Sequence, residues 1–192
     1  MRERGFVAAD QTFPVFLHPE TGEEYALARR EVKRGEGYRG FEVYAGPDVT
    51  LEEDLRRRDL TINAMAQDES GQVTDPYGGR GDLDAGLLRH VSDAFVEDPL
   101  RVLRIARFSA RLSEHGFRIA HDTHRLMCRM VESGGMRHLT AERLWREMMA
   151  AMRAAQPWRF FEVLHGCSAL QELIPPLAEA MGEVRAHGDR PD

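Results

Sequence analysis

The sequence has few cysteines, a single lysine and no long apolar run. Lys33 is the only lysine, so arginine carries almost all of the positive charge, and its planar guanidinium suits phosphates and base edges. Cys128 and Cys167 lie far apart without metal-ligand spacing, which favours free thiols in a reducing cytoplasm over a disulfide scaffold. No segment has the length of a membrane span, and the first residues lack the apolar stretch of a signal peptide. We therefore expect a cytoplasmic protein without a membrane partner.

The composition is that of an ordinary globular protein. The 192 residues are 42% hydrophobic and 30% charged, which is enough for one large domain or two small ones. The formal net charge of −6 does not by itself suggest a nucleic-acid-binding protein. The distribution of charge decides what a surface attracts, so the positions of the arginines matter more than the sum. The general preference for arginine can also reflect genome composition.

The chain up to Asp75 has a strand-like pattern with one helix. A charged, glycine-rich stretch, Arg30–Gly40, is interpreted as a mobile loop. Thr50 opens the helix, because Thr50 and Glu53 have the spacing of a capping box. The predicted strands are Phe13–His18, Glu23–Arg29, Phe41–Ala45 and a hairpin of Ala64–Gln67 with Gln72–Asp75.

From Asp98 onward the pattern is helical. The polar segment Glu179–Asp192 has no clear apolar face, and we expect it to be either frayed or the start of a further element. The sequence thus predicts an α+β protein with a head, residues 1–112, followed by an all-helical neck, residues 113–192. The predicted helices lie near Pro99–Ser113, Asp122–Ser133, Thr140–Ala154 and Pro157–Gly166.

The helix that begins at Asp98 has two distinct faces. At about 100° per residue, four arginines share an arc of roughly 120°, and most apolar residues occupy the opposite side. Leu100 and Phe108 are exceptions, because they fall on the arginine arc. Such a helix suits an anionic partner, although a solvated arginine face is the commoner explanation for an arbitrary helix. The four arginines are Arg101, Arg104, Arg107 and Arg111.

Three segments resemble, in order and spacing, the motifs of class II tRNA nucleotidyltransferases and bacterial poly(A) polymerases. Residues 57–64, R-R-D-L-T-I-N-A, resemble the motif R-R-D-x-x-I-N-A, and residues 75–83, D-P-Y-G-G-R-G-D-L, resemble D-P-x-x-G-x-x-D-L. Residues 97–108, E-D-P-L-R-V-L-R-I-A-R-F, resemble E-D-x-x-R-x-x-R-x-x-R-F. Segments 17–19, 46–54 and 89–91 look like the bacterial CCA-adding branch. The resemblance covers the chain from about Phe13 to about Pro175.

The resemblance implies a fold and a reaction. The fold is a nucleotidyltransferase head of the polymerase-beta type with a mixed β-sheet, followed by the helical neck. The reaction is the template-independent transfer of CMP and AMP from CTP and ATP to the 3′ end of tRNA, with Mg²⁺ as the cofactor. One alternative is a poly(A) polymerase, which transfers only AMP. Another is a non-catalytic nucleotide- or RNA-binding remnant, whereas a helical interaction module would leave the ordered motifs unexplained.

By position in the motifs, Asp98 and Arg101 are implied to read the base. Cytosine and adenine both present an amino donor beside a ring-nitrogen acceptor, which a carboxylate and a guanidinium can match. Uracil and guanine present the reverse order, so their polar groups would be left unpaired. The alternative is that Asp98 only caps the helix and that Arg101 is solvated, and Asp98 can also do both.

The resemblance implies further nucleotide contacts. Arg104 and Arg107 would face the triphosphate or the base, and Arg58 and Asp59 would contact the nucleotide from the first motif. Asp59 or Asn63 would lie near the ribose hydroxyls. Asn63 can equally be a structural side chain that ties down the helix end.

Several other polar residues are interpreted as structural. Asp75 and Asp82 are expected to be turn and helix-cap residues rather than catalysts. Asp122 is likewise interpreted as a helix cap. His121 and His124, three residues apart, lack the further ligands that a metal site needs.

The sequence departs from the family in its carboxylates. The family holds metal ions with a D-x-D pair after a G-G-x-x-R-D loop, and neither motif occurs before Phe13. Glu24 matches a strand acid that is either a third carboxylate near the metals or a solvent-facing side chain. We therefore expect a fragment without catalytic or metal-binding residues, inactive alone, that lacks the N-terminal catalytic motif and the C-terminal body and tail.

Overall fold

The computed structural model describes residues 5–8, 15–33 and 41–188. Its first half contains short strands in small sheets, and its second half is helical, so the predicted α+β class is confirmed. Strands β1 to β3 form one antiparallel sheet in the order β1-β2-β3, and β4 pairs with β5 in an antiparallel ribbon. These strands are β1, Val7–Ala8; β2, Val15–Leu17; β3, Glu24–Ala26; β4, Arg29–Lys33; and β5, Phe41–Ala45.

The predicted boundaries between Glu23 and Gly40 were wrong. Glu23–Arg29 is not one strand, and β4 occupies the beginning of the predicted loop. The charged residues of β4 adopt strand structure because β5 supplies a full set of backbone partners, which overrides their weak intrinsic preference. The Arg30 guanidinium lies 5.1 Å from the Tyr44 ring centre. Residues 13–14 and 34–40, also part of the predicted strand and loop, lie outside the described residues.

Two local signals in the head are confirmed. The capping box at Thr50 is complete, because the Thr50 hydroxyl accepts from the Glu53 amide at 3.2 Å and the Glu53 carboxylate accepts from the Thr50 amide at 2.9 Å. The hairpin is also present. The elements here are α1, Leu51–Arg56; a 3₁₀ turn, Thr61–Asn63; β6, Ala66–Gln67; and β7, Val73–Thr74.

The D-P-Y-G-G segment forms the start of α2, Gly79–Asp84. The Asp75 carboxylate accepts from the amides of Gly79 and Arg80 at 2.7 and 2.9 Å, so its predicted role as a turn and cap residue is confirmed. Gly79 has no room for a side chain, because a Cβ there would collide with the Thr61 carbonyl oxygen.

The predicted cap roles of Asp82 and Asp122 were wrong. Buried Asp82 accepts from the Thr61 hydroxyl at 2.7 Å and from Arg89 Nε at 3.1 Å. Arg89 Nη1 also donates to both Asp122 oxygens, at 3.0 and 2.9 Å. The N-cap of α4 is a non-polar residue without a side-chain hydrogen bond, and Asp122 lies in the first turn. Both carboxylates are therefore engaged by Arg89, which ties the head to α4.

The helical half continues to Gly188, so the expectation of a frayed end from Glu179 was wrong. Leu177, Ala178 and Met181 give the last helix an apolar face that packs on the core. Residues 189–192 lie outside the described part. The remaining elements are β8, Leu87–Leu88; α3, Leu100–Leu112; β9, Arg118–Ile119, which pairs with β8 in parallel; α4, His121–Glu132; α5, Ala141–Ala151; α6, Trp158–Gly166; α7, Ala169–Leu173; and α8, Pro175–Gly188.

The core is centred on α3. Its apolar face is completely buried against α5 and α6, and one apolar cluster extends from Leu60 in the head to Ala178 in the last helix. The boundary at residue 112 stays a prediction, but the core is continuous across it. Within the part of the chain that the structure describes, no helix is both long and apolar enough to cross a membrane. The buried residues of α3 include Val102, Leu103, Ile105, Ala106 and Ala110.

Candidate functional site

A cavity of about 680 Å³ lies where α3 begins, between the head strands and α5. We call it the arginine cavity, because six arginines and three carboxylates among the described residues line it. An opening lined with such an excess of positive charge attracts anions. Its lining residues are Glu24, Arg29, Arg57, Arg58, Asp59, Asn63, Asp98, Leu100, Arg101, Arg104, Phe108 and Arg143.

Asp59 is a buried carboxylate at the wall of the arginine cavity. It accepts from Arg104 Nε at 2.6 Å, from the Leu60 amide at 2.9 Å and from Asn63 Nδ2 at 3.3 Å. Burial alone would raise the pKa of Asp59, but the charge of Arg104 and these hydrogen bonds outweigh burial and lower the pKa. Asp59 is therefore a fixed anion that orients Arg104 and Asn63.

Asp98 connects the start of α3 with α5. Its Oδ1 accepts from the Leu100 amide at 3.0 Å and from Arg143 Nη1 at 3.1 Å, and its Oδ2 accepts from Arg143 Nη2 at 2.7 Å. The capping contact expected of Asp98 is thus present. The same carboxylate also forms a bidentate ion pair with Arg143 of the predicted neck.

Arg101 lines the arginine cavity but is largely buried. Its Nη1 donates to the Ala94 carbonyl oxygen and its Nη2 to the Arg57 carbonyl oxygen, both at 2.6 Å. The guanidinium therefore joins α3 to the end of α1 and to the 3₁₀ turn Asp93–Glu97. Arg101 is not the solvated side chain of the alternative interpretation.

The two apolar exceptions on the arginine face, Leu100 and Phe108, also line the arginine cavity. The Arg104 guanidinium carbon lies 5.8 Å from the Phe108 ring centre, and that of Arg107 lies 4.6 Å from it. Cations over an aromatic face are stabilised by the ring's electron density. Phe108 thus packs against two arginines that lie about one helical turn apart.

Arg107 is not among the residues that line the arginine cavity. Its Nε donates to Glu147 of α5 at 2.6 Å, and Glu147 is buried. The structure thus brings together six of the seven predicted nucleotide-binding residues and gives Arg107 a partner on the neck instead.

At the arginine cavity, Arg58 is exposed and Asn63 is half-buried. Arg58 donates to the Asn63 carbonyl oxygen at 3.0 Å and to Asp54 at 3.3 Å. Because the Asn63 side chain donates to Asp59, the structural role considered for Asn63 is present. A contact of Asn63 with a ribose stays a prediction.

Besides Glu24, whose role was left open, five lining residues were not predicted as site residues. Leu100 and Phe108 had a visible signal, because apolar side chains on the arginine arc mark a surface that is not simply solvated. Arg29, Arg57 and Arg143 had no local signal for this site. Arg143 is 45 residues from its partner Asp98, and no sequence pattern connects them.

The described residues contain no group of three His, Cys, Asp or Glu side chains that could hold a metal ion. Of the three carboxylates at the arginine cavity, Asp59 and Asp98 are already paired with arginines. Glu24 is exposed on β3. This donor set does not fit a site for two metal ions, each of which needs several carboxylate oxygens.

Two family profiles match the chain. The profile described as "Poly A polymerase head domain" matches residues 13–89, and "Probable RNA and SrmB- binding site of polymerase A" matches residues 116–181. A multifunctional CCA protein of Pseudomonas aeruginosa is 56% identical over all 192 residues, which span 47% of that protein. A CCA-adding enzyme of Pseudomonas putida is 60% identical over 97% of this chain and 50% of its own length. The chain thus spans about half the length of the curated relatives it matches.

Solved structures give the same assignment. A CCA-adding enzyme in complex with CTP superposes with a TM-score of 0.69 at 31% identity, over 88% of this chain and 39% of that chain. A tRNA nucleotidyltransferase complexed with a primer tRNA and an incoming ATP analog gives 0.69 at 30% identity, over 90% of this chain and 48% of that one. The chain belongs to the family of CCA-adding enzymes and poly(A) polymerase head domains.

Proposed function

We propose that the arginine cavity binds CTP and ATP for the transfer of CMP and AMP to the 3′ end of tRNA, which is CCA addition. The observation that carries this proposal is the meeting of six arginines with Asp98 in one cavity at the start of α3. A nucleoside triphosphate needs several positive groups for its phosphates and one polar pair for its base. The cavity offers both. The CTP and ATP-analog complexes of related proteins support the same ligand class.

The phosphate-binding role falls to arginines at the open side of the arginine cavity. The side chains of Arg58 and Arg104 are 43% and 36% exposed, so both can reach a ligand without leaving their internal partners. Guanidinium groups bind phosphate oxygens through paired, charge-assisted hydrogen bonds. Asp59 and Phe108 keep Arg104 in place.

The base-reading role falls to Asp98 with Arg101. A carboxylate accepts from the amino group of cytosine or adenine, and a guanidinium donates to the adjacent ring nitrogen. UTP and GTP would place their carbonyl oxygens against the carboxylate and leave both groups unpaired. In this arrangement Arg101 keeps its contact with the backbone of the head while it faces the base.

Mg²⁺ is the cofactor that we propose for the complete reaction, where it supplies charge stabilisation at the transferred phosphoryl group. The carboxylates of the described residues do not form a site for this ion. For the same reason we expect the 192-residue chain alone to transfer no CMP or AMP, and incorporation into tRNA by the purified chain would overturn this expectation. We propose that the protein acts in the bacterial cytoplasm, where it would meet a tRNA substrate.

Nucleotide selectivity tests the proposal. Isothermal titration of the 192-residue chain should show CTP and ATP binding at least about tenfold more tightly than UTP and GTP, the ratio that one specific base contact provides. Asp98→Asn should remove the preference for CTP and ATP, and Arg104→Met should lower the affinity for all four nucleotides. Arg111→Met is the matched control, because Arg111 is exposed on the same helix outside the arginine cavity.

The titration also separates the alternatives. Equal affinity for all four nucleotides would contradict base reading and leave a non-selective phosphate-binding remnant. Binding of ATP without CTP would instead favour a poly(A) polymerase. Absence of binding to any of them would refute the proposed function of the cavity.

A further inference from the structure

The predicted neck contributes one charged residue to the arginine cavity, Arg143. It lies in the first turn of α5, which Thr140 caps through its hydroxyl. Its two terminal nitrogens each donate to one oxygen of Asp98, at 3.1 and 2.7 Å. The Arg143 and Asp98 side chains are only 14% and 18% exposed. A pair so shielded from water has a well-defined geometry.

The hydrogen bonds on Asp98 leave its two oxygens in different states. Each carboxylate oxygen has about two acceptor positions. Oδ1 accepts from the Leu100 amide and from Arg143 Nη1, whereas Oδ2 accepts from Arg143 Nη2. Among the described residues, the acceptor position left on Asp98 is therefore on Oδ2. One remaining position matches one N–H of an exocyclic amino group.

We propose that Arg143 is the positioning residue that gives Asp98 its base selectivity, an inference that rests on the proposed nucleotide binding. By holding both oxygens, Arg143 fixes the plane of the carboxylate and directs the remaining acceptor of Oδ2 to the amino group of cytosine or adenine. It also neutralises the charge of Asp98, which would otherwise repel a bound triphosphate. Selection of the base thus depends on a residue of α5 as well as on the motif at the start of α3.

Without Arg143, the Leu100 amide is the partner that the Asp98 side chain would keep among the described residues. The carboxylate could then rotate about its terminal torsion, which is a soft one, and present its oxygens in several directions. Lysine cannot replace this bidentate contact of the guanidinium, because a single ammonium does not bind two oxygens in one fixed plane. Loss of this contact in Arg143→Lys should therefore lower the ratio of CTP to UTP affinity more than it lowers the affinity for a triphosphate without a base.

The test measures the affinity of the 192-residue chain for CTP, for UTP and for inorganic tripolyphosphate, which has no base. Arg143→Met and Arg143→Lys should each lower the ratio of CTP to UTP affinity at least roughly fivefold. In Arg143→Lys, which keeps the positive charge, tripolyphosphate affinity should change less than about twofold, whereas in Arg143→Met the uncompensated charge of Asp98 should weaken tripolyphosphate and both nucleotides alike. The matched control is Arg146→Ala, because Arg146 is exposed on the same helix and does not line the arginine cavity.

The CTP to UTP ratio and the melting temperature, measured together for each Arg143 variant, distinguish positioning from simple stabilisation. If Arg143→Met does not fold, Arg143→Lys carries the test, since it keeps the charge between α3 and α5. If the Arg143–Asp98 ion pair only stabilises the fold, the Arg143 variants will have a lower melting temperature and an unchanged ratio of CTP to UTP affinity. That result would overturn the proposal.

The two proposals fail in different ways. If the unchanged chain does not prefer CTP to UTP, the base-reading function fails and the role of Arg143 with it. If the unchanged chain prefers CTP and both Arg143 variants keep that preference, only the role of Arg143 is refuted.

Discussion

Replacing Arg107 with methionine should destabilise the protein without weakening nucleotide binding. Arg107 and Glu147 are 19% and 11% exposed and are joined by a bond of 2.6 Å. Breaking a fully buried pair costs about 3–5 kcal/mol, because the remaining charge is left uncompensated. Some water reaches this pair, so we expect a loss of about 3 kcal/mol in the free energy of unfolding. For a chain of this size that lowers the melting temperature by about 6–12 °C.

The companion variant removes both charges. In Arg107→Met combined with Glu147→Met, most of the lost stability should return, because apolar side chains of similar volume replace the pair without leaving a buried charge. Thermal unfolding followed by circular dichroism measures the four variants of this cycle, and titration with CTP measures binding in each. A marked loss of CTP affinity at an unchanged melting temperature would refute the placement of Arg107 outside the arginine cavity.

Two further predictions concern the head. Gly79→Ala should lower the free energy of unfolding by more than about 1 kcal/mol, because its Cβ would meet the Thr61 carbonyl oxygen. Gly81→Ala has open space and should leave the free energy of unfolding unchanged or raise it by up to about 1 kcal/mol. Equal urea midpoints for the two variants would contradict this prediction. The lowered pKa of Asp59 means that its charged form stabilises the fold above about pH 4 and that this contribution is lost as the pH falls through the folded-state pKa. The difference in free energy of unfolding between the unchanged chain and Asp59→Asn, measured with urea, should therefore become smaller as the pH falls towards about 3. A difference that does not change with pH would refute the stabilising role of the charged Asp59.

Local signals in the sequence predicted the structure well wherever both partners are close in the chain. The caps at Thr50 and Asp75 were found because each side chain satisfies an amide three to five residues away. The arginine face of α3 was found because helical spacing is a local property. The same reasoning failed for Arg30–Lys33, whose strand structure depends on pairing with β5. A residue's tertiary partner thus overrides its own preference.

The partners of the site residues could not be predicted in the same way. Arg104 meets Asp59, and Arg143 meets Asp98, each across 45 residues. Helical periodicity placed all four arginines of α3 on one face but did not distinguish them by their partners. Only the packing of α5 against α3 separates Arg107, which is paired with Glu147, from Arg104, which lines the arginine cavity.

The arginines of the arginine cavity differ in how many of their guanidinium nitrogens are already hydrogen-bonded within the protein. Arg101 uses both terminal nitrogens for backbone carbonyl oxygens, and Arg58 uses both of its own for Asn63 and Asp54. Arg104 binds Asp59 through Nε, so among the described residues its two terminal nitrogens keep their donors for an incoming anion. A guanidinium that is anchored at one nitrogen and open at two loses little freedom on binding a phosphate. We therefore expect Arg104 to make the largest contribution to triphosphate affinity of these three arginines, because Arg58 and Arg101 already use an N–H of each terminal nitrogen for an internal partner.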